Sequence, residues 1–216
     1  MAEETLNTAK APSAPGLVQW LFNPFAYIAG GRSLGIGLAA ILLAGFLGSF
    51  SNTHFDGVLD VHTGRGDVLW VFLTEGIVNW LSLGIVLFIL GRFVSRTRFR
   101  ALDLFGTQAM ARWPMIFVAA ASLLPPYQRF LISVIQNLRE LTQARGNFYV
   151  QLGDAAVAAV VIVIIVAAIV WMVALMYRSY SICCNVRGGR AIASFIAGLV
   201  MAEAASKVIV LKMLTI

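Results

Sequence analysis

The chain has 216 residues, of which 60% are hydrophobic and 12% are charged, and its formal net charge at pH 7 is +6. So little charge, clustered between long apolar runs, cannot give a soluble domain of this length a polar surface, so the composition excludes an ordinary soluble protein. It predicts an all-α, polytopic integral membrane protein. Because no soluble domain could present a basic groove, we interpret the positive charge as a topology signal and expect no nucleic-acid partner.

The N-terminal part of the chain is predicted to remain outside the bilayer core. Residues 1–16 are polar and rich in Ala, Pro and Thr, which predicts a disordered tail, and they lack the basic start of a signal peptide. Residues 17–32 carry aromatic side chains around Asn23 and Pro24. Because this segment is too short to cross a bilayer and Pro24 interrupts a continuous helix, we expect it to lie among the lipid headgroups.

Five apolar segments predict a five-helix transmembrane bundle within a membrane domain that covers 33–212. They are residues 33–51, 68–90, 104–124, 155–177 and 191–211. The third segment is the weakest because Gln108, Arg112 and Pro114 interrupt it, and a four-span protein is the alternative. An amphipathic helix on the outer surface is predicted at about 127–145, since apolar residues recur there at helical spacing.

The positions of Lys and Arg predict the orientation of the spans. With five spans and the N-terminus inside, more of these cations lie on the inner side than on the outer side. The segment RFVSRTRFR, residues 92–100, contributes most to this excess. Because short cytoplasmic loops are enriched in Lys and Arg, we expect an N-in, C-out topology.

Four charged residues interrupt the predicted spans, namely Glu75, Arg112, Glu203 and Lys207. A charge near the bilayer centre costs roughly 2.5–3.5 kcal/mol on insertion scales, so such residues normally face the bundle and find partners. We expect the four to form one buried charge cluster, with Asn79 and Gln108 as hydrogen-bond partners. Glu203 and Lys207 are also spaced i, i+4 for a direct pair. Bracing of the helices is the preferred interpretation, and a proton or ion relay is the alternative.

Small residues recur at every fourth position in two of the predicted spans. They are Ser194, Gly198, Ala202 and Ser206 in the fifth span and Ala40, Ala44 and Gly48 in the first. Small side chains allow two helices to approach closely where lipid offers no hydrophobic driving force for association. We expect these helix-packing residues to serve contacts within one chain, with a homodimer interface as the alternative.

The first outer loop contains HFDGVLDVH, residues 54–62, with two His and two Asp. Such side chains can bind metal ions, but their spacing matches no established metal motif, so we predict a solvated loop and no metal site. The sequence also lacks H-E-x-x-H, G-x-S-x-G and Walker-type motifs. We therefore expect no catalytic residues, no cofactor and no enzymatic activity.

A resemblance to the Yip1-domain family covers the end of the fourth span, the connection and the start of the fifth span. These residues read VWMVALMYRSYSICCNVRGGRAIASFIAGLVM. That family has a Trp near the end of the fourth span, a short loop with Gly and a basic residue, and a small residue that opens the fifth. The matching residues are Trp171, Arg187, Gly188, Arg190 and Ala191. Asn23 and Pro24, within LFNPFAYI, resemble the family's Asn-Pro segment ahead of the first span. Five spans with a cytosolic N-terminus is also the family's architecture.

The resemblance implies a non-enzymatic membrane protein that organises membranes or binds partner proteins. Eukaryotic members act in early secretory trafficking with Rab-type GTPases, but their cytosolic D-L-Y-G-P motif has no equivalent here, since DLFGT at 103–107 precedes the third span. The short tail and compact loops look more like bacterial members, which implies a bacterial inner membrane. The expected partners are the lipid bilayer and an unidentified membrane or cytosolic protein, with self-association through the small-residue stripes as an option. The alternative function is a small ion, proton or solute transporter or channel.

Overall fold

The computed structural model describes residues 16–64, 66–142 and 150–214. Most of these residues are helical. The helices are α1 (Leu17–Phe22), α2 (Gly30–Ser51), α3 (Leu69–Val94), α4 (Ala101–Met110), α5 (Met115–Ser122), α6 (Pro125–Thr142), α7 (Leu152–Cys183) and α8 (Gly188–Leu214). A 3-10 helix at Pro24–Ala26 follows α1, and the strands β1 (Thr53–His54) and β2 (His62–Thr63) lie between α2 and α3. Residues 1–15 of the predicted tail lie outside the described residues.

Four helices in the described part of the chain, α2, α3, α7 and α8, are long and apolar enough to cross a membrane. The number rises to five if the bent pair formed by Ala101–Ser122 and the helix after it is counted as one span. The prediction of a mostly helical chain with four or five helices of spanning length is therefore confirmed. We call the end of the bundle that carries residues 52–68 the loop end, and the end that carries residues 92–100 the basic end.

The third predicted segment, 104–124, is two helices rather than one. Between α4 and α5 the backbone hydrogen bonds join residues that are three apart in the chain instead of four. Arg112 N–H donates to Ala109 O at 3.1 Å, and Trp113 N–H donates to Met110 O at 3.2 Å. Pro114 has no N–H to donate to the helical ladder, so the chain passes this point in tight turns. The interruption places Arg112 between two helices, inside the bundle.

The predicted amphipathic helix is α6, which turns away from Ala101–Ser122 by 76°. Its position is set by an ion pair with the first turn of α7. Arg129 donates to the Asp154 carboxylate through both Nη2 and Nε, at 2.7 and 3.0 Å. Two parallel bonds hold a guanidinium in one orientation, so this pair fixes α6 against α7. Residues 143–145, the C-terminal end of the predicted helix, lie outside the described part.

Close approach between helices explains the small-residue stripes. A Cβ added at Gly37 of α2 would overlap the backbone of Ala109 and Met110, so α2 and α4 touch at this crossing. A Cβ added at Gly198 of α8 would lie 2.7 Å from the Leu87 side chain of α3. Gly37 lies three residues before the first stripe, and the buried members of the two stripes are Ala40, Ala44, Gly48, Gly198, Ala202 and Ser206. Both stripes therefore pack against other helices of the same chain.

Candidate functional site

The segment between α2 and α3 folds back among the helices at the loop end. Its two strands pair antiparallel, with Thr53 opposite Thr63 and His54 opposite His62, and so close a loop. Near its tip, Phe55 and Val58 are 5% and 2% exposed. We call residues 53–63 the inserted loop. Because its tip has no helical or strand pairing of its own, the buried backbone groups there need partners from the surrounding helices.

Two carboxylates accept the backbone N–H groups of the inserted loop. Glu75 of α3, which is fully buried, accepts the Phe55 N–H through Oε2 at 3.0 Å. Its other oxygen, Oε1, lies 2.8 Å from Nδ1 of His54. Glu203 of α8 accepts the Leu59 N–H through Oε2 at 2.9 Å. A buried N–H without an acceptor costs about 1–3 kcal/mol, so these two acids supply acceptors that the loop lacks.

One amide and one guanidinium side chain donate hydrogen bonds to carbonyl oxygens of the loop. Asn79 Nδ2, one turn after Glu75 on α3, donates to the Phe55 carbonyl. Arg112 Nη2 lies 3.4 Å from the Val58 carbonyl, and the Arg112 side chain is almost fully buried. The Glu203 carboxylate also attracts the Arg112 guanidinium electrostatically. The helices therefore present acceptors to the loop's N–H groups and donors to its carbonyls.

Lys207 binds the inserted loop more closely than it binds its neighbour on α8. Its Nζ lies 2.6 Å from Asp60 Oδ2 and 3.5 Å from Glu203 Oε1. The i, i+4 pair is thus present, but the shorter contact joins α8 to the loop. Both Lys207 and Asp60 are partly exposed at the loop end, which limits what this ion pair contributes to stability.

The structure brings the four predicted charges to one loop, but not into one ion-pair network. Glu75 pairs with His54 instead of Arg112, because the loop lies between the helices and offers nearer partners. Asn79 reaches the same loop, but its Nδ2 donates to the Phe55 carbonyl and not to one of the four charges. Gln108 does not take part, since its Nε2 donates to Met176 O and Ser179 Oγ of α7, at 2.9 and 3.1 Å.

The prediction of a solvated loop is wrong for the first half of HFDGVLDVH. His54, Phe55 and Val58 are buried, whereas the His62 side chain is 47% exposed. Sequence reasoning missed His54 and Asp60 as partners of the charges within the spans. A signal was present, because this loop contains four apolar residues, Phe55, Val58, Leu59 and Val61, which favour burial.

A small cavity lies beside the Arg112 side chain. It has a volume of about 10 Å³ and borders Arg112, Phe55, Ile41 and Gly76. This is about the volume that one water molecule requires. The inserted loop therefore leaves little free space beside the buried guanidinium.

The residues that carry the family resemblance lie at two contacts of α7 and α8. Trp171 Nε1 donates to the carbonyl of Leu21, just ahead of Asn23 and Pro24, at 3.1 Å. This bond joins the N-terminal segment to the fourth predicted span. Arg190 donates to the Val94 carbonyl at the end of α3, at 2.9 Å, and so ties α8 to α3 at the basic end. Between them, Arg187 is exposed and Gly188 has φ +64°.

No protein-family model, curated protein or solved structure matches the chain. The function therefore has to be argued from the geometry of the inserted loop and from the sequence motifs.

Proposed function

We propose that the chain is a non-enzymatic, five-span membrane protein of the Yip1 type that acts by binding partner proteins or organising the membrane. In this proposal Ala101–Ser122 is the third span and α6 lies along the membrane surface, which agrees with the 76° bend between them. The basic end faces the cytosol. It carries Arg92, Arg96, Arg98, Arg100, Arg178, Arg187 and Arg190.

The observation that carries the proposal is the engagement of the intramembrane charges by the inserted loop. A transport path requires charged groups that face a passage for the transported species. Here Glu75, Arg112 and Glu203 each contact a backbone group of the loop, and the cavity beside Arg112 has room for about one water molecule. These contacts support a helix bundle without a transport path, whose binding activity lies on its surfaces.

A small transporter is the second candidate, and the break between α4 and α5 favours it. Interrupted helices that expose a charged side chain within the membrane line the binding sites of many transporters. Arg112 lies at such a break. In this alternative the inserted loop would leave the bundle to open a path, so its contacts would be those of a closed gate.

Flux measurements on the full chain in liposomes distinguish the two. We expect proteoliposomes to be no more permeable to protons, K⁺ or Cl⁻ than empty liposomes, and a complex with a partner to form again from the two purified components. A pH- or voltage-driven current that Glu203→Gln abolishes would overturn the proposal. Absence of both current and any reconstituted complex would also count against it.

The orientation is tested by labelling single cysteines from one side of intact cells. With Cys183 and Cys184 replaced by alanine, a membrane-impermeant maleimide should label Asp67→Cys at the loop end. It should label Arg98→Cys at the basic end only after the cells are opened. The reverse pattern would contradict a cytosolic N-terminus.

A further inference from the structure

Three polar side chains of the inserted loop converge at its open side. Asp56, Asp60 and His62 each offer one potential ligand atom, and these atoms all lie within 4.8 Å of one another. The β ribbon produces this arrangement, because pairing of His54 with His62 brings the two ends of the loop together. His54 takes no part, since its Nδ1 is directed to Glu75.

The distance between two of these groups is that of ligands sharing one ion. Asp56 Oδ1 lies 3.3 Å from His62 Nδ1. This oxygen is buried, and among the described residues it makes this ion pair with His62 but no hydrogen bond. Two ligands of a tetrahedral metal at bond lengths of about 2.0–2.1 Å are separated by about 3.3 Å. A metal ion between the two groups would bind both of them in place of their direct ion pair.

The third group and the surrounding charges suit the same ion. Asp60 accepts a hydrogen bond from Lys207 Nζ on Oδ2, a support of the kind that metal-binding carboxylates commonly have. Lys207 Nζ also lies 3.5 Å from Glu203 Oε1, so Asp60 and Glu203 share one ammonium group, and Asp56 adds a further negative charge. The net negative charge attracts a cation, and partial exposure of Asp56, Asp60 and His62 leaves a path from solution.

We propose that Asp56, Asp60 and His62 bind one divalent transition-metal ion of the Zn²⁺ type, with water as the fourth ligand. Imidazole nitrogen together with carboxylate oxygen favours such an ion over Mg²⁺ or Ca²⁺, which prefer oxygen ligands throughout. The ion joins both ends of the inserted loop and so clamps it in the bundle. This site does not depend on the binding function proposed above.

Calorimetric titration of the full chain with ZnCl₂ in detergent micelles, after removal of endogenous metal, tests the proposal. We expect saturable binding of one Zn²⁺ per chain that millimolar Mg²⁺ does not displace. Asp56→Asn and His62→Gln should each weaken this binding at least tenfold. Asp67→Asn, which removes the same charge from an exposed position outside the cluster, should bind Zn²⁺ as the wild type does.

Thermal unfolding distinguishes loss of the site from loss of the fold. Because a ligand that binds only the folded state stabilises it, Zn²⁺ should raise the unfolding temperature of the wild type and of Asp67→Asn. It should not raise that of His62→Gln, whose metal-free unfolding temperature should match the wild type since His62 is half exposed. Wild-type protein that binds no Zn²⁺, or full affinity in both Asp56→Asn and His62→Gln, would overturn the proposal.

Discussion

The Glu75 carboxylate accepts the Phe55 N–H at 3.0 Å and so ties α3 to a loop segment 20 residues earlier in the chain. This bond explains a charge within an apolar helix. The inserted loop brings peptide groups into the bundle without pairing them, and a carboxylate on the adjacent helix supplies an acceptor. Glu203 does the same for Leu59 from α8.

Replacing Glu75 should destabilise the folded protein. In Glu75→Gln the carboxamide oxygen can still accept the Phe55 N–H, but His54 Nδ1 then faces a neutral amide N–H₂ group instead of a carboxylate oxygen. We expect a loss of about 1–3 kcal/mol in the free energy of unfolding, and a larger loss for Glu75→Ala. Denaturant unfolding in micelles, followed by tryptophan fluorescence, measures this. Asp67→Asn is the control, and equal stability of Glu75→Gln and Asp67→Asn would contradict the role of Glu75.

Lys207 should couple more strongly to Asp60 than to Glu203, because the two ion pairs are 2.6 and 3.5 Å long. Glu203→Gln and Lys207→Met should each lower stability, and the double variant should recover part of the loss. Two double-mutant cycles measure the two coupling energies. One combines Lys207→Met with Asp60→Asn, and the other combines Lys207→Met with Glu203→Gln. Additive losses in both cycles would show that neither pair contributes to stability.

The crossing of α2 and α4 should not accept even one methyl group at Gly37. Gly37→Ala would force the Ala109 backbone away, and we expect a loss of about 1–3 kcal/mol or failure to fold. Gly35→Ala on the same helix is a matched control, since nothing lies within 4 Å of the added Cβ. This control should be neutral or stabilising because Ala has the higher helix propensity. Equal expression and equal melting temperatures of Gly37→Ala and Gly35→Ala would contradict the close crossing of α2 and α4.

The attachment of α6 to α7 should depend on the bidentate geometry of Arg129. Arg129→Lys keeps the charge but cannot form two parallel bonds to Asp154. We expect faster hydrogen–deuterium exchange across Pro125–Thr142, while α2 and α3 exchange as in the wild type. Arg98→Lys, the same change at the basic end, should leave exchange in α6 unaltered. Unchanged exchange in Arg129→Lys would mean that the other contacts of α6, including Gln128 Nε2 to Ser51 O, are sufficient to hold it.

Much of the secondary structure could be predicted from local sequence. Runs of about 20 apolar residues specify helices of spanning length, and the spacing of small residues predicts which faces pack closely. Pro114 marked the interruption of the third segment, because a missing N–H acts on the nearest turn whatever the surroundings. The i, i+4 pair of Glu203 and Lys207 could be predicted for the same reason, since helix geometry alone brings these two side chains together.

The partners of the charges were decided only by the tertiary structure. Their positions within the apolar spans predicted that the four charges would meet in one cluster, but no local pattern shows that the loop after α2 returns into the bundle. Once it does, its unpaired N–H and C=O groups lie nearer to these charges than the charges lie to one another. The convergence of Asp56, Asp60 and His62 likewise depends on the β ribbon. Such contacts depend on how distant segments fill one space, whereas helix formation depends on neighbours in the chain.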